Sequence, residues 1–120
     1  MPVQKLRDSY SAVILAYGAI SDRELGIPGE HQLDGVLPSR RVVDWYNGSL
    51  DYNLKANEFD LRETERIAII GNGNIATDMS RVLIRNVDDL RTSDAPASVI
   101  DHLAQSKLHT IEMVGRRGIT

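Results

Sequence analysis

The sequence predicts an α/β chain, and three observations carry that prediction. Ile67-Ala68-Ile69-Ile70 is a short apolar run that reads as a strand buried on both faces. Gly71-Asn72-Gly73-Asn74-Ile75-Ala76 follows at once as a Gly-x-Gly-x-x-Ala turn, and the apolar spacing then becomes helical. Ile75, Ala76, Met79, Val82 and Leu83 fall on one stripe. A second apolar run, Thr110-Ile111-Glu112-Met113-Val114, supplies another strand, which a right-handed crossover lays parallel beside the first. Together these make a βαβ unit, the opening of a partial Rossmann-like dinucleotide-binding fold.

Length and composition bound what surrounds this unit. At 120 residues the chain suits one small domain with a limited core, and a complete doubly wound sheet needs more strands than the sequence offers. The residues are 42% hydrophobic and 26% charged, with a formal net charge of −3, which gives no electrostatic reason to expect nucleic acid or a membrane surface. Without cysteine there are no disulfides, cysteine metal sites or thiol catalysis in this stretch. No apolar run reaches membrane-spanning length, and Met1-Pro2-Val3-Gln4 has neither the h-region of a signal peptide nor the Arg/Ser content of a transit peptide.

Taken in order, residues 6–10 are short and polar. Ala12-Val13-Ile14-Leu15-Ala16 reads as a buried strand that Tyr17-Gly18-Ala19 ends. Gly26-Ile27-Pro28-Gly29-Glu30 is loop chemistry, with Pro28 biasing Ile27 to extended backbone. Ser39 to Tyr46 fits a short helix capped by Ser39, with Val42, Val43 and Tyr46 on one face and Asn47-Gly48 closing it. Trp45 and Tyr46 anchor that helix to a core or a domain junction. Arg40 and Arg41 read as a solvated face, with phosphate binding as the alternative, and the polar residues 51–66 as a surface connection into the central strand. The helix after the glycines ends near Arg85-Asn86. Ser93-Asp94-Ala95-Pro96 starts another, with Pro96 in its first turn and Val99, Ile100 and Leu103 as its apolar stripe. His31, His102 and His109 lack companion ligands and read as helix-side or surface histidines.

The glycine turn has a chemical reading. Gly71 permits a tight exit from the strand, Gly73 lets a pyrophosphate approach the backbone, and Ala76 lets helix and strand lie close. Asn72, Asn74 and the amides of the first helical turn, Ile75 included, face an anion that the helix dipole favours. The same turn also fits glycines that serve packing alone. The strand before it and the helix after it favour the dinucleotide. The end of the second strand then selects the cofactor. A carboxylate there would accept from a free ribose 2′-hydroxyl, whereas a guanidinium pairs with a 2′-phosphate through two parallel donors. Arg116 and Arg117 stand there, between Gly115 and Gly118 and 45 positions beyond Gly71, so the crossover is expanded and the cofactor is NADP. Two exposed loop arginines are the plainer alternative.

Several pieces occurring in order resemble one family. They are Leu6-Arg7-Asp8-Ser9-Tyr10, Val13-Ile14-Leu15-Ala16-Tyr17-Gly18-Ala19, Ile27-Pro28-Gly29-Glu30, Trp45-Tyr46-Asn47-Gly48, Gly71-Asn72-Gly73-Asn74-Ile75-Ala76-Thr77-Asp78 and Val114-Gly115-Arg116-Arg117-Gly118. Together they are similar to the adrenodoxin reductase family, the ferredoxin–NADP reductases of adrenodoxin reductase type. The glycine motif alone would also fit glutamate synthase small subunits. The resemblance implies an FAD-dependent oxidoreductase in which NADPH reduces the flavin and the flavin passes electrons singly to a ferredoxin/adrenodoxin-type iron–sulfur protein. It implies that residues 1–30 belong to the FAD-binding domain, including a returning strand of it, that 31–66 cross between domains, and that 67–120 open the NADP-binding domain. Cofactor contacts then fall on Gly71, Asn72, Gly73, Asn74 and Ile75 at the pyrophosphate and on Arg116 and Arg117 at the 2′-phosphate. No catalytic acid or base is expected, because the flavin carries the redox chemistry. The resemblance places such a protein in the mitochondrion of a eukaryote and otherwise in the cytoplasm. No second dinucleotide motif for FAD is present, so the chain reads as an internal piece of the family, inactive alone. A non-catalytic remnant of the nucleotide fold is the alternative.

Overall fold

The computed structural model describes residues 2–18, 21–50 and 58–115. Its elements in chain order are α1 (Val3–Ser9), α2 (Ser39–Tyr46), β1 (Arg66–Ile70), α3 (Asn74–Ile84), α4 (Val87–Leu90), α5 (Ala97–Ala104) and β2 (Thr110–Val114). The expected βαβ unit is present. β1 and β2 pair in parallel, with Arg66 opposite Thr110 and Ile70 opposite Val114, and the three helices α3 to α5 make the crossover between them. Arg66 and Glu112 form an ion pair across the ladder.

Burial follows the helical stripes. α3 buries Ala76, Met79 and Leu83, α5 buries Val99, Ile100 and Leu103, and α2 buries Val42 and Tyr46 one turn apart. β1 buries only Ile69, with Ile67 partly covered and Ile70 exposed. The expected two-sided burial of β1 is thus corrected to one covered face, because the sheet has two strands among the described residues and its alternate side chains face away from the helices.

Other boundaries shift for local reasons. Pro38, not Ser39, is the N-cap of α2, and its carbonyl accepts from the Arg41 N–H at 3.1 Å. Pro96 likewise caps α5 instead of lying in its first turn. Proline suits both places: its φ is fixed and the donor it lacks would have been unsatisfied at a helix start. Asn47 and Gly48 do close α2. Gly48 takes φ +65° and lies so close to α5 that a Cβ there would stand 2.7 Å from Pro96 Cγ. α1 and α4 were not expected. α1 buries nothing and carries a Gln4 to Asp8 side-chain hydrogen bond of 2.9 Å. α4 is capped by Asn86, whose Oδ1 accepts from the Asp88 N–H, with Asp88 and Asp89 in the first turn.

The strand expected at residues 12–16 does not form, since no ladder partner for it exists among the described residues. Ile14 is 88% exposed and Tyr17 83%. The loop that follows is ordered by its own acid. Leu25 and Gly26 donate their backbone N–H groups to the two oxygens of Glu30 at 2.8 and 2.7 Å, which holds that carboxyl below its usual range.

The polar connection into β1 is more than surface. Leu61 is 0% exposed, its N–H donates to His102 Nε2 at 3.1 Å, and its carbonyl accepts from the Lys107 N–H at 2.8 Å. Trp45 packs edge-on against both Phe59 and His102, at 5.2 and 5.4 Å between centroids, which bears out its anchoring role. Among the described residues, acids of this segment are paired: Glu58 with Arg41 at 2.5 Å, Asp60 with Arg62 at 2.6 Å and Glu63 with Lys107 at 3.4 Å.

His102 accepts a hydrogen bond and so must be neutral at Nε2. Burial lowers its pKa despite the opposing pull of Asp60, whose Oδ1 lies 3.8 Å away. A histidine held neutral in the folded state contributes stability that is complete above the unfolded value, about 6.5, and is lost as pH falls below it. The urea midpoint of the protein is therefore expected to drop between about pH 7 and 5. A His102→Gln variant, which keeps an acceptor but does not titrate, should show a shallower drop, and equal slopes would contradict this arrangement.

Candidate functional site

The site is built where β1 becomes α3. Gly71 continues the ladder one step beyond the strand, its N–H donating to the Val114 carbonyl at 2.8 Å. It then turns at φ +136°, a conformation that side chains oppose. Gly73 caps α3 with φ −99° and ψ −177° and offers no side-chain cap. Among the described residues, no protein acceptor takes the N–H groups of Asn72, Gly73, Asn74, Ile75 or Ala76. These groups open α3, an eleven-residue helix whose first turn holds no acidic side chain. Its N-terminal partial positive charge is thus left for an external anion.

The two glycines are distinguished by what surrounds them. A Cβ added to either would meet no atom within 4 Å. For Gly71 the backbone torsion is reason enough for glycine. Gly73 has ordinary extended backbone and open space, so neither torsion nor packing within the chain calls for a bare Cα there. Close approach of an external group does, and on this observation the residues present fit a dinucleotide.

The predicted site residues fall as follows. Asn72, Gly73, Asn74 and Ile75 are exposed at the turn, and Gly71 is partly buried beneath it. Ile75 was expected on the apolar stripe of α3 but is 57% exposed. It lines a cleft of about 740 Å³ between α2 and α3 instead. Arg116 and Arg117 lie outside the described residues. Gly115 follows β2 directly, and the register puts the end of β2 beside the end of β1.

The cleft gathers residues to which the sequence gave no shared role. Arg40 and Tyr46 line it from α2 and Asn47 from just beyond it, with Asn74, Asp78 and Arg81 from α3. Tyr46 Oη donates to Asp78 Oδ2 at 2.9 Å. Burial, and then this bond to a carboxylate, push the Tyr46 phenol well above its ordinary range, so it remains a donor. The signal for this pair was available: Tyr46 sits four residues beyond Val42 on the buried face, and Asp78 ends the glycine motif. Among the described residues no group of histidines and acids could hold a metal ion, and no helix is long and apolar enough to cross a membrane.

No family model matches the chain. Individual proteins do. It is 41% identical over 119 residues to the NADPH:adrenodoxin oxidoreductase, mitochondrial, of Arabidopsis thaliana, covering 98% of this chain and 24% of that protein. It is 40% identical over 116 residues to the corresponding Bos taurus protein, covering 97% of this chain and 23% of that one. Among solved structures it is similar to Mycobacterium tuberculosis FprA in complex with NADPH, with a TM-score of 0.75 and 37% identity over 96% of this chain and 24% of that one. The chain thus spans about a quarter of the length of the relatives it matches.

Proposed function

We propose, from the premise that this chain is a stretch of the adrenodoxin reductase family, that it supplies the NADP-binding portion of an FAD-dependent oxidoreductase. The whole protein passes electrons from NADPH to a ferredoxin/adrenodoxin-type iron–sulfur protein. When bound, NADPH would supply the hydride and the flavin would convert it to single-electron transfers. The contribution of this chain is binding and orientation. Gly71, Asn72, Gly73, Asn74 and Ile75 hold the pyrophosphate, and Arg116 and Arg117 hold the 2′-phosphate. Residues 1–30 belong with the FAD domain, 31–66 cross between domains, and 67–120 begin the NADP domain. In a eukaryote the protein works in the mitochondrion, the compartment in the names of its eukaryotic relatives.

The observation that carries this reading is the bare Cα of Gly73 beside amides with no acceptor of their own. A Gly73→Ala variant tests it. The methyl group meets nothing in the protein and the backbone torsion tolerates it, so thermal stability should be unchanged. NADP binding to the full-length protein, measured by calorimetry, should weaken by about tenfold, because the methyl stands where the pyrophosphate must approach. Unchanged affinity would reject the assignment, and absence of binding by the parent protein would reject the reading as a whole.

A further inference from the structure

The cleft beside the cradle holds an arrangement that phosphate binding at the turn does not require. Asp78 and Arg81 lie three positions apart on α3, a spacing at which a carboxylate and a guanidinium ordinarily pair. They form no ion pair, and Arg81 has no charged or hydrogen-bonding partner among the described residues. The Asp78 carboxylate is engaged across the cleft by Tyr46 instead. Both α3 side chains line the same cleft as Asn74 and Ile75. It therefore extends seven residues along the helix from the cradle, about 10 Å.

We propose that Tyr46 is a positioning residue for the cofactor: by holding Asp78 against α2, it leaves the Arg81 guanidinium open toward the pyrophosphate of the bound dinucleotide, through the cleft it shares with Asn74 and Ile75. The proposal rests on the NADP reading given above. Three features support it. The Tyr46 ring is buried, so its hydroxyl is fixed in place without help from Asp78. The chain directly after it is packed, since Gly48, left-handed and one residue past the C-cap Asn47, lies against Pro96. The hydroxyl stays protonated across the working range of pH, so the arrangement does not switch off. Without the hydroxyl, Asp78 would be released to pair with Arg81, and the cleft would lose its open cation.

The test uses the full-length flavoprotein and titrates NADP+ by the perturbation of the flavin spectrum. Tyr46→Phe, which keeps the buried ring, is expected to weaken NADP+ binding by about tenfold, the lower end of the scale of one charge-assisted contact. Arg81→Gln is expected to weaken it equally, and the double variant no further. Adding Asp78→Asn to Tyr46→Phe should restore most of the affinity, because the released side chain can no longer neutralise Arg81. A purely structural role for the hydroxyl would predict no such rescue. Unchanged binding in Arg81→Gln, or a Tyr46→Phe loss that Asp78→Asn does not reverse, overturns the proposal while leaving the NADP reading intact if the parent binds. Failure of the parent to bind overturns both.

Discussion

Replacing Arg116 and Arg117 together by alanine in the full-length protein is expected to raise the KM for NADPH by about a hundredfold, with little change for NADH. The estimate follows from two hydrogen bonds to a charged group, each worth roughly 1.5–3 kcal/mol, or about tenfold or more in affinity. NADH lacks the 2′-phosphate that these contacts address, so it provides the internal control. The expectation stands on the parallel register: Ile70 opposes Val114, and the chain leaving β2 starts beside the cradle that follows β1. The ratio of kcat/KM for the two cofactors is the measurement. Equal losses for both would show that the arginines do not read the 2′-phosphate.

Leu61→Ala is expected to be the most destabilising single truncation, at about 4 kcal/mol, in the upper part of the range for a buried leucine. The cost is high because the site cannot collapse. Leu61 is fully buried, and its backbone is held on one side by His102 and on the other by Lys107. The neighbouring chain is therefore fixed around the cavity that the truncation leaves. Urea unfolding should show a lower midpoint at constant slope. Leu61→Met, which conserves volume, should cost less than about 1.5 kcal/mol. A loss below about 1 kcal/mol for the alanine variant would mean that the segment relaxes freely.

What was legible in the sequence was local and periodic. The apolar run of β1, the glycine turn and the stripe on α3 are neighbours in the chain, and each imposes its own geometry within a few residues. β2 and its parallel pairing followed from the handedness of the crossover, and α2 from its face of Val42 and Tyr46. The structure goes beyond the sequence where a contact is distant or a signal is single. Leu61 stands among charged residues with only scattered apolar neighbours such as Phe59 and no helical stripe, so its burial was not legible. The apolar run at 12–16 looks like a strand, but a strand exists only where something pairs with it. Ile75 continues the α3 stripe by spacing, yet it sits at the edge of that stripe beside the buried Ala76 and faces the cleft. α4 was legible in principle from Asn86 followed by two acids, a cap signal that needs no hydrophobic pattern.

The side-by-side register of β1 and β2 also orders events in time. Its first rung joins Arg66 to Thr110, so during synthesis the earlier strand waits, edges bare, until the later one has left the ribosome. α3, α4 and α5 are local structures that need no distant partner, and they can form in that interval. The β1–β2 pairing is expected to follow these helices, since a contact across so many positions carries a large loop-closure cost. The turn after β1, whose Gly71 is tied to Val114, is thus set in place only when this pairing forms.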